Sequence, residues 1–78
     1  MQTMHHSTIM YILKIQGTDK IPDYVQIRDE NFSLIAYFKI SNPKTALTRC
    51  NLIHKMEEIL TIANGLNYGQ IQKLELSL

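Results

Sequence analysis

Asn42 to Gly65 carries the only long helical pattern in the chain, and every other segment reads as a strand that must pack against it. Asn42-Pro43 is a start signal. An Asn side chain can accept from the free N–H groups of a first turn, and Pro at the first helical position gives up no bond the helix would have made. At the other end, Asn64-Gly65 offers the left-handed conformation that closes a helix. Between them Leu52, Ile53, Met56, Ile59, Leu60 and Ala63 fall on one side at about 100° per residue. Lys44, Asn51, His54, Lys55, Glu58 and Thr61 fall on the other, with His54 and Glu58 spaced four apart so that they can pair. Arg49 projects near the apolar side. It reads either as an anion contact or as a long stem lying over the core edge with its charge in water. Cys50, on the flank of the stripe, reads as a small core hydrophobe. A helix with one apolar face needs a flat surface beneath it.

The remaining chain supplies strands for that surface. Ile9 to Gln16 alternates, with Ile9, Tyr11, Leu13 and Ile15 on one face and Met10, Ile12, Lys14 and Gln16 on the other. Gly17 to Lys20 is a turn, and Pro22 delays the next strand. Tyr24 to Arg28 follows, with Val25 and Ile27 inward, and Asp29-Glu30-Asn31 reads as a tight hairpin loop. Phe32 to Ile40 is the clearest strand, with Phe32, Leu34, Ala36, Phe38 and Ile40 on one face. After Gly65 a last strand runs from Gln70 to Leu76. There Leu74, Leu76 and Leu78 share a face and Ile71 is out of phase, through a bulge near Gln72 or because it points the other way.

The order is β-β-β-α-β, which predicts a single small α+β domain: a four-stranded, mostly antiparallel sheet with one long helix packed on one face. A strand entered through a helical crossover is usually parallel to the one left behind. The helix is expected to sit on Phe32, Leu34, Phe38, Leu13 and Val25. Residues 1–7, including His5-His6, read as a flexible N-terminus and residues 8–78 as the domain.

At 78 residues the chain holds one domain, small enough that association would help its stability. A net charge of +1 argues against a strong non-specific polyanion binder. The single cysteine excludes an internal disulfide and fits a reducing compartment. No apolar run approaches a membrane span, and the start lacks the basic-then-apolar order of a signal peptide. The expectation is a cytoplasmic protein.

One helix covers one sheet face, so the other should be polar in a lone monomer. Here that face is expected to carry Met10, Ile12, Tyr24, Ile35, Tyr37 and Ile71, interspersed with Lys14, Arg28, Lys39 and Lys73. That is too apolar for a solvent face, and such patches mark interfaces. Ile12, Lys14, Tyr24, Arg28, Ile35, Tyr37, Lys39 and Lys73 are therefore the candidate partner-binding residues, for a second copy or another protein. A rival reading has the tyrosines stacking bases while the cations follow a phosphate backbone. The Gly-aromatic-Gly-aromatic stretch of sheet-based RNA binders is absent.

No reaction is written in the sequence. Cys50 and His54 are four apart on the predicted helix, but one tends inward and the other outward, and no oxyanion-hole loop accompanies them. The carboxylates are scattered, Gly17, Gly65 and Gly69 lack phosphate-loop spacing, and two adjacent His make no metal site. We therefore expect no enzyme, no cofactor and no metal.

Gly69-Gln70-Ile71-Gln72-Lys73-Leu74-Glu75 resembles the final strand of the small linker domains of phycobilisomes, which typically reads Gly-Lys-Ile-Val-Lys-Ile-Glu. Met56-Glu57-Glu58-Ile59 and Tyr24-Val25-Gln26-Ile27-Arg28 are similar to a helix and a strand of the same domains. The longer predicted helix and the lack of a paired Gly before the last strand depart from that pattern. The resemblance implies a non-enzymatic domain that plugs into a ring of larger antenna subunits.

Overall fold

The computed structural model describes residues 9–76. The expected flexible start at residues 1–7 and Leu78 of the last strand lie outside the described residues. The elements are β1 (Met10–Ile15), β2 (Tyr24–Asp29), β3 (Leu34–Lys39), α1 (Lys44–Arg49), a 3-10 turn (Ile53–Lys55) running into α2 (Met56–Asn64), and β4 (Ile71–Leu74). They form an α+β domain whose four named strands, in the order β3-β2-β1-β4, all pair antiparallel.

The expected long helix is broken in two. Asn51 adopts a left-handed backbone with φ of 63°. The Leu52 N–H donates to the Leu47 carbonyl at 2.8 Å and the Asn51 N–H to the Thr48 carbonyl at 3.2 Å. Those two bonds are the Schellman pattern, with Asn in the place glycine most often takes. Leu47 is fully buried and Leu52 packs against the core, so core packing holds the chain on both sides of the stop. The predicted termini also differ in detail. Pro43 itself is the N-cap and no side chain caps α1, while Gly65 closes α2 in a right-handed conformation.

The break has a topological consequence. An unbroken helix antiparallel to β3 would return the chain to the far end of the sheet and make β4 parallel to β3. Two short segments instead bring it out at the end it left, and β4 runs antiparallel along the outer edge of β1. The parallel crossover expected from sequence is thereby corrected.

The registers fix which face lies under the helices. Ile12 pairs with Ile27, which pairs with Ala36; Lys14 pairs with Val25, which pairs with Phe38; Met10 pairs with Leu74. All eight are buried, and they pack with Leu47, Ile59, Ala63 and Leu66 from the helical side. Each fully buried aliphatic side chain among them stabilises the fold by about 1.5–3 kcal/mol. The face assigned to β1 from sequence is therefore inverted: Met10, Ile12 and Lys14 lie beneath the helices, and Leu13 does not.

A bulge changes the phase of β3. Ile27 opposes Ala36 but Arg28 opposes Leu34, so Ile35 is skipped in the ladder. Two residues facing one shift the alternation of everything before them. Leu34 is consequently 51% exposed, whereas Ile35 packs against the core. Phe32, also expected in the core, is 50% exposed. In β4 no bulge is needed, because Leu74 points inward and Ile71, 55% exposed, points out.

Two loops complete the scaffold. The Thr18 N–H donates to the Ile21 carbonyl at 2.7 Å, closing the β1–β2 loop. Gly17 lies so close to this turn that a Cβ would run into the Ile21 carbonyl oxygen and the Pro22 backbone. In the β2–β3 hairpin the Asp29 carboxylate accepts from the Asn31 and Ser33 N–H groups. Phe32 takes the left-handed position there, with φ of 62°.

Candidate functional site

The sheet face away from the helices consists of three cross-strand rungs. Lys73, Tyr11, Arg28 and Leu34 form the first; Ile71, Leu13, Gln26 and Tyr37 the second; Ile15, Tyr24 and Lys39 the third. Tyr24 and Tyr37 stack on adjacent strands with ring centroids 4.7 Å apart. Phe32 folds back from the hairpin so that its ring lies 4.8 Å from that of Tyr11. Such aromatic pairs are worth about 0.5–1.5 kcal/mol beyond their area.

A left-handed bulky residue costs about 1–3 kcal/mol and persists only when its surroundings hold it. Here Arg28 does so, donating from one guanidinium nitrogen to the Phe32 carbonyl and from the other to Gln26 Oε1, each at 2.8 Å. Both acceptors are neutral, so the positive charge of Arg28 stays uncompensated. Among the described residues the one ion pair is Lys55–Glu58, on the helical side, which leaves Lys39 and Lys73 uncompensated too. None of the three rungs contains a carboxylate; Glu30 stands at the hairpin tip, and Glu75 follows Lys73 by two residues on the same side of the chain, just past the end of β4.

Of the eight residues proposed from sequence, Tyr24, Arg28, Tyr37, Lys39 and Lys73 come together on this face. Ile12, Lys14 and Ile35 do not, for the register and bulge reasons given above. Tyr11, Leu13, Ile15, Leu34 and Phe32 were missed. The first three follow from β1 once its pairing to β2 is known. Leu34 and Phe32 depend on the bulge and the hairpin conformation, for which the sequence offers no turn glycine as a signal.

A second polar cluster ties the β1–β2 loop to the approach to β4. Asp23 accepts from the Gly17 N–H at 2.8 Å and from the Tyr68 hydroxyl at 2.7 Å. Those two donors, the Gly17 N–H foremost, hold its carboxyl below the ordinary aspartate range, and the Lys14 charge acts in the same direction. Acceptance by Asp23 raises Tyr68 in turn. Lys14, only 7% exposed, keeps its amine 4.9 Å from the centre of the Tyr68 ring. Its buried stem and cation–π contact explain how a lysine can occupy the covered face.

A hollow on the helical side is lined by Ile53, His54, Lys55, Met56, Glu57 and Glu58. These are consecutive residues, so it is a dent in one segment and not a pocket between elements. Among the described residues no group of three or more His, Cys, Asp or Glu could hold a metal ion, and no helix is long and apolar enough to cross a membrane. No protein-family model, curated protein or solved structure matches the chain.

Proposed function

We propose that this chain is a non-enzymatic protein-association module of the cytoplasm, acting as a homodimer or as an accessory subunit of a larger complex through its helix-free sheet face. The observation that carries the reading is the composition of that face. Leu13, Ile15, Leu34, Tyr37, Ile71 and the Tyr11–Phe32 pair put apolar and aromatic side chains on both sides of Gln26 and Arg28, on a face where a lone monomer would carry mostly polar ones. The likeness of Gly69 to Glu75 to the last strand of phycobilisome linkers favours the accessory-subunit form.

Nucleic-acid binding by the same face is the alternative, favoured by aromatic rings beside three uncompensated cations. Against it, each of the four rings already spends one face on its neighbour, and base stacking needs free ring faces. The net charge of +1 also gives little electrostatic drive toward a polyanion.

Light scattering across a concentration range, with and without a mixed single-stranded oligonucleotide, separates these readings for the wild type and Tyr37→Glu. The association reading expects no mass gain from the oligonucleotide. Retention of the oligonucleotide that disappears in Tyr37→Glu would overturn it.

A further inference from the structure

We infer that the occupant of the helix-free face is an extended, acidic and apolar segment of a different protein, and not a second copy of this chain. The inference rests on the docking reading above and narrows it to one partner chemistry. Two observations carry it, one of charge and one of size.

Arg28 and Lys73 lie in the first rung and Lys39 in the third, on either side of the middle rung with Leu13, Gln26 and Tyr37. Among the described residues none of the three cations is in an ion pair and the rungs hold no carboxylate, so the face is a middle rung that is apolar apart from Gln26, between two outer rungs that carry positive charge. A second copy laid on it would bring three like charges against three. Like charges across an interface select against a partner, and opposite ones select for it. The complement of this surface is a segment whose apolar side chains meet the centre and whose Asp or Glu side chains reach the border.

Size points the same way. Strands of up to six residues, rising about 3.3 Å per residue and spaced about 4.8 Å, give a footprint of roughly 400 Å² before side-chain relief. Two copies would then share a flat footprint on the order of 800 Å² in total, which places the contact toward the small end of interfaces even after side-chain relief is added. An extended segment needs no larger footprint than this, because it presents one row of side chains at a period of two to the face.

The test uses a dye-labelled peptide of alternating leucine and glutamate, its leucine–lysine counterpart, and a mixed single-stranded oligonucleotide. Fluorescence anisotropy is read against the full chain, with light scattering of the chain alone. The expected result is a monomer that binds the acidic peptide and ignores the basic one, with affinity falling as salt rises. Lys39→Glu and Lys73→Glu, both at exposed positions, each raise Kd about tenfold, while Lys44→Glu on the helical side leaves it unchanged. Circular dichroism checks that each variant is folded. Failure of the folded wild type to bind the acidic peptide overturns the inference. If that failure comes with a dimer that Tyr37→Glu dissociates, the docking reading survives with a second copy as occupant. Tyr37-dependent binding of the oligonucleotide in place of the acidic peptide overturns both.

Discussion

The Tyr68 hydroxyl donates a 2.7 Å hydrogen bond to Asp23 Oδ2, while the other oxygen of that carboxylate accepts from the Gly17 N–H at 2.8 Å. One carboxylate thereby fastens the β1–β2 loop to the chain entering β4, two segments far apart in sequence. Because both donors depress Asp23 in the folded state, its contribution to stability has a definite sign with pH. It is fully present above the ordinary aspartate value of about 4 and is lost as pH falls through the lower folded value. We expect Asp23→Asn to be less stable than the wild type at about pH 7, with the gap closing toward about pH 2.5. Urea midpoints at the two pH values measure it. A gap of equal size at both would contradict the role given to the charge.

Gly17 faces the Ile21 carbonyl with no room for a side chain. Gly17→Ala must therefore push the loop apart, and overpacking of this kind costs about 1–3 kcal/mol. Gly65→Ala serves as the control, since its Cβ would meet only ordinary contacts from 3.6 Å outward. Its effect should stay within about 0.5 kcal/mol. Denaturant unfolding of both variants decides the matter.

The phase of β1 is testable by truncation. Ile12 is fully buried against Ile27, so Ile12→Ala should cost about 2–5 kcal/mol. Leu13→Ala, on the half-buried opposite face, should cost clearly less. A reversal of that order in urea unfolding would place the helices on the other side of the sheet.

β1 is also where the sequence was least able to decide. Both faces of Met10–Ile15 are largely apolar, and Lys14 reads as solvent-facing until Tyr68 is brought over it. Only the pairing of Ile12 with Ile27 breaks the tie, and that pairing is non-local. Val25, Ile27, Ala36 and Phe38 were legible because a clean alternation, with Tyr24, Gln26, Tyr37 and Lys39 between them, left one choice. Leu34 and Phe32 were not, because a bulge shifts phase without any glycine or proline to announce it. The helix broke at Asn51 for a related reason. Asn is tolerated within a helical pattern, so its left-handed backbone emerges only from the core packing of Leu47 and Leu52 on either side of the stop. The candidate face was legible as a composition, an apolar side with no helix to cover it, but only partly as a set of residues.

Phe32 sets monomer stability against binding. Phe32→Gly removes the left-handed strain and should raise the stability of the isolated domain by about 1 kcal/mol, at the cost of the Tyr11 contact. The same change removes an apolar wall of the helix-free face and should weaken capture of the acidic peptide. A rise in the urea midpoint together with a rise in Kd is the expected pair. A fall in the midpoint would mean that the ring contact outweighs the strain.

If partners meet this chain on the helix-free face, amide chemical shifts will map them there during titration with the leucine–glutamate peptide. The largest shifts are expected on Tyr11, Leu13, Gln26, Arg28, Tyr37 and Ile71, with the Ile53–Glu58 segment unmoved. Saturating shifts centred on Ile53–Glu58, or no shifts anywhere on the three rungs, would contradict it.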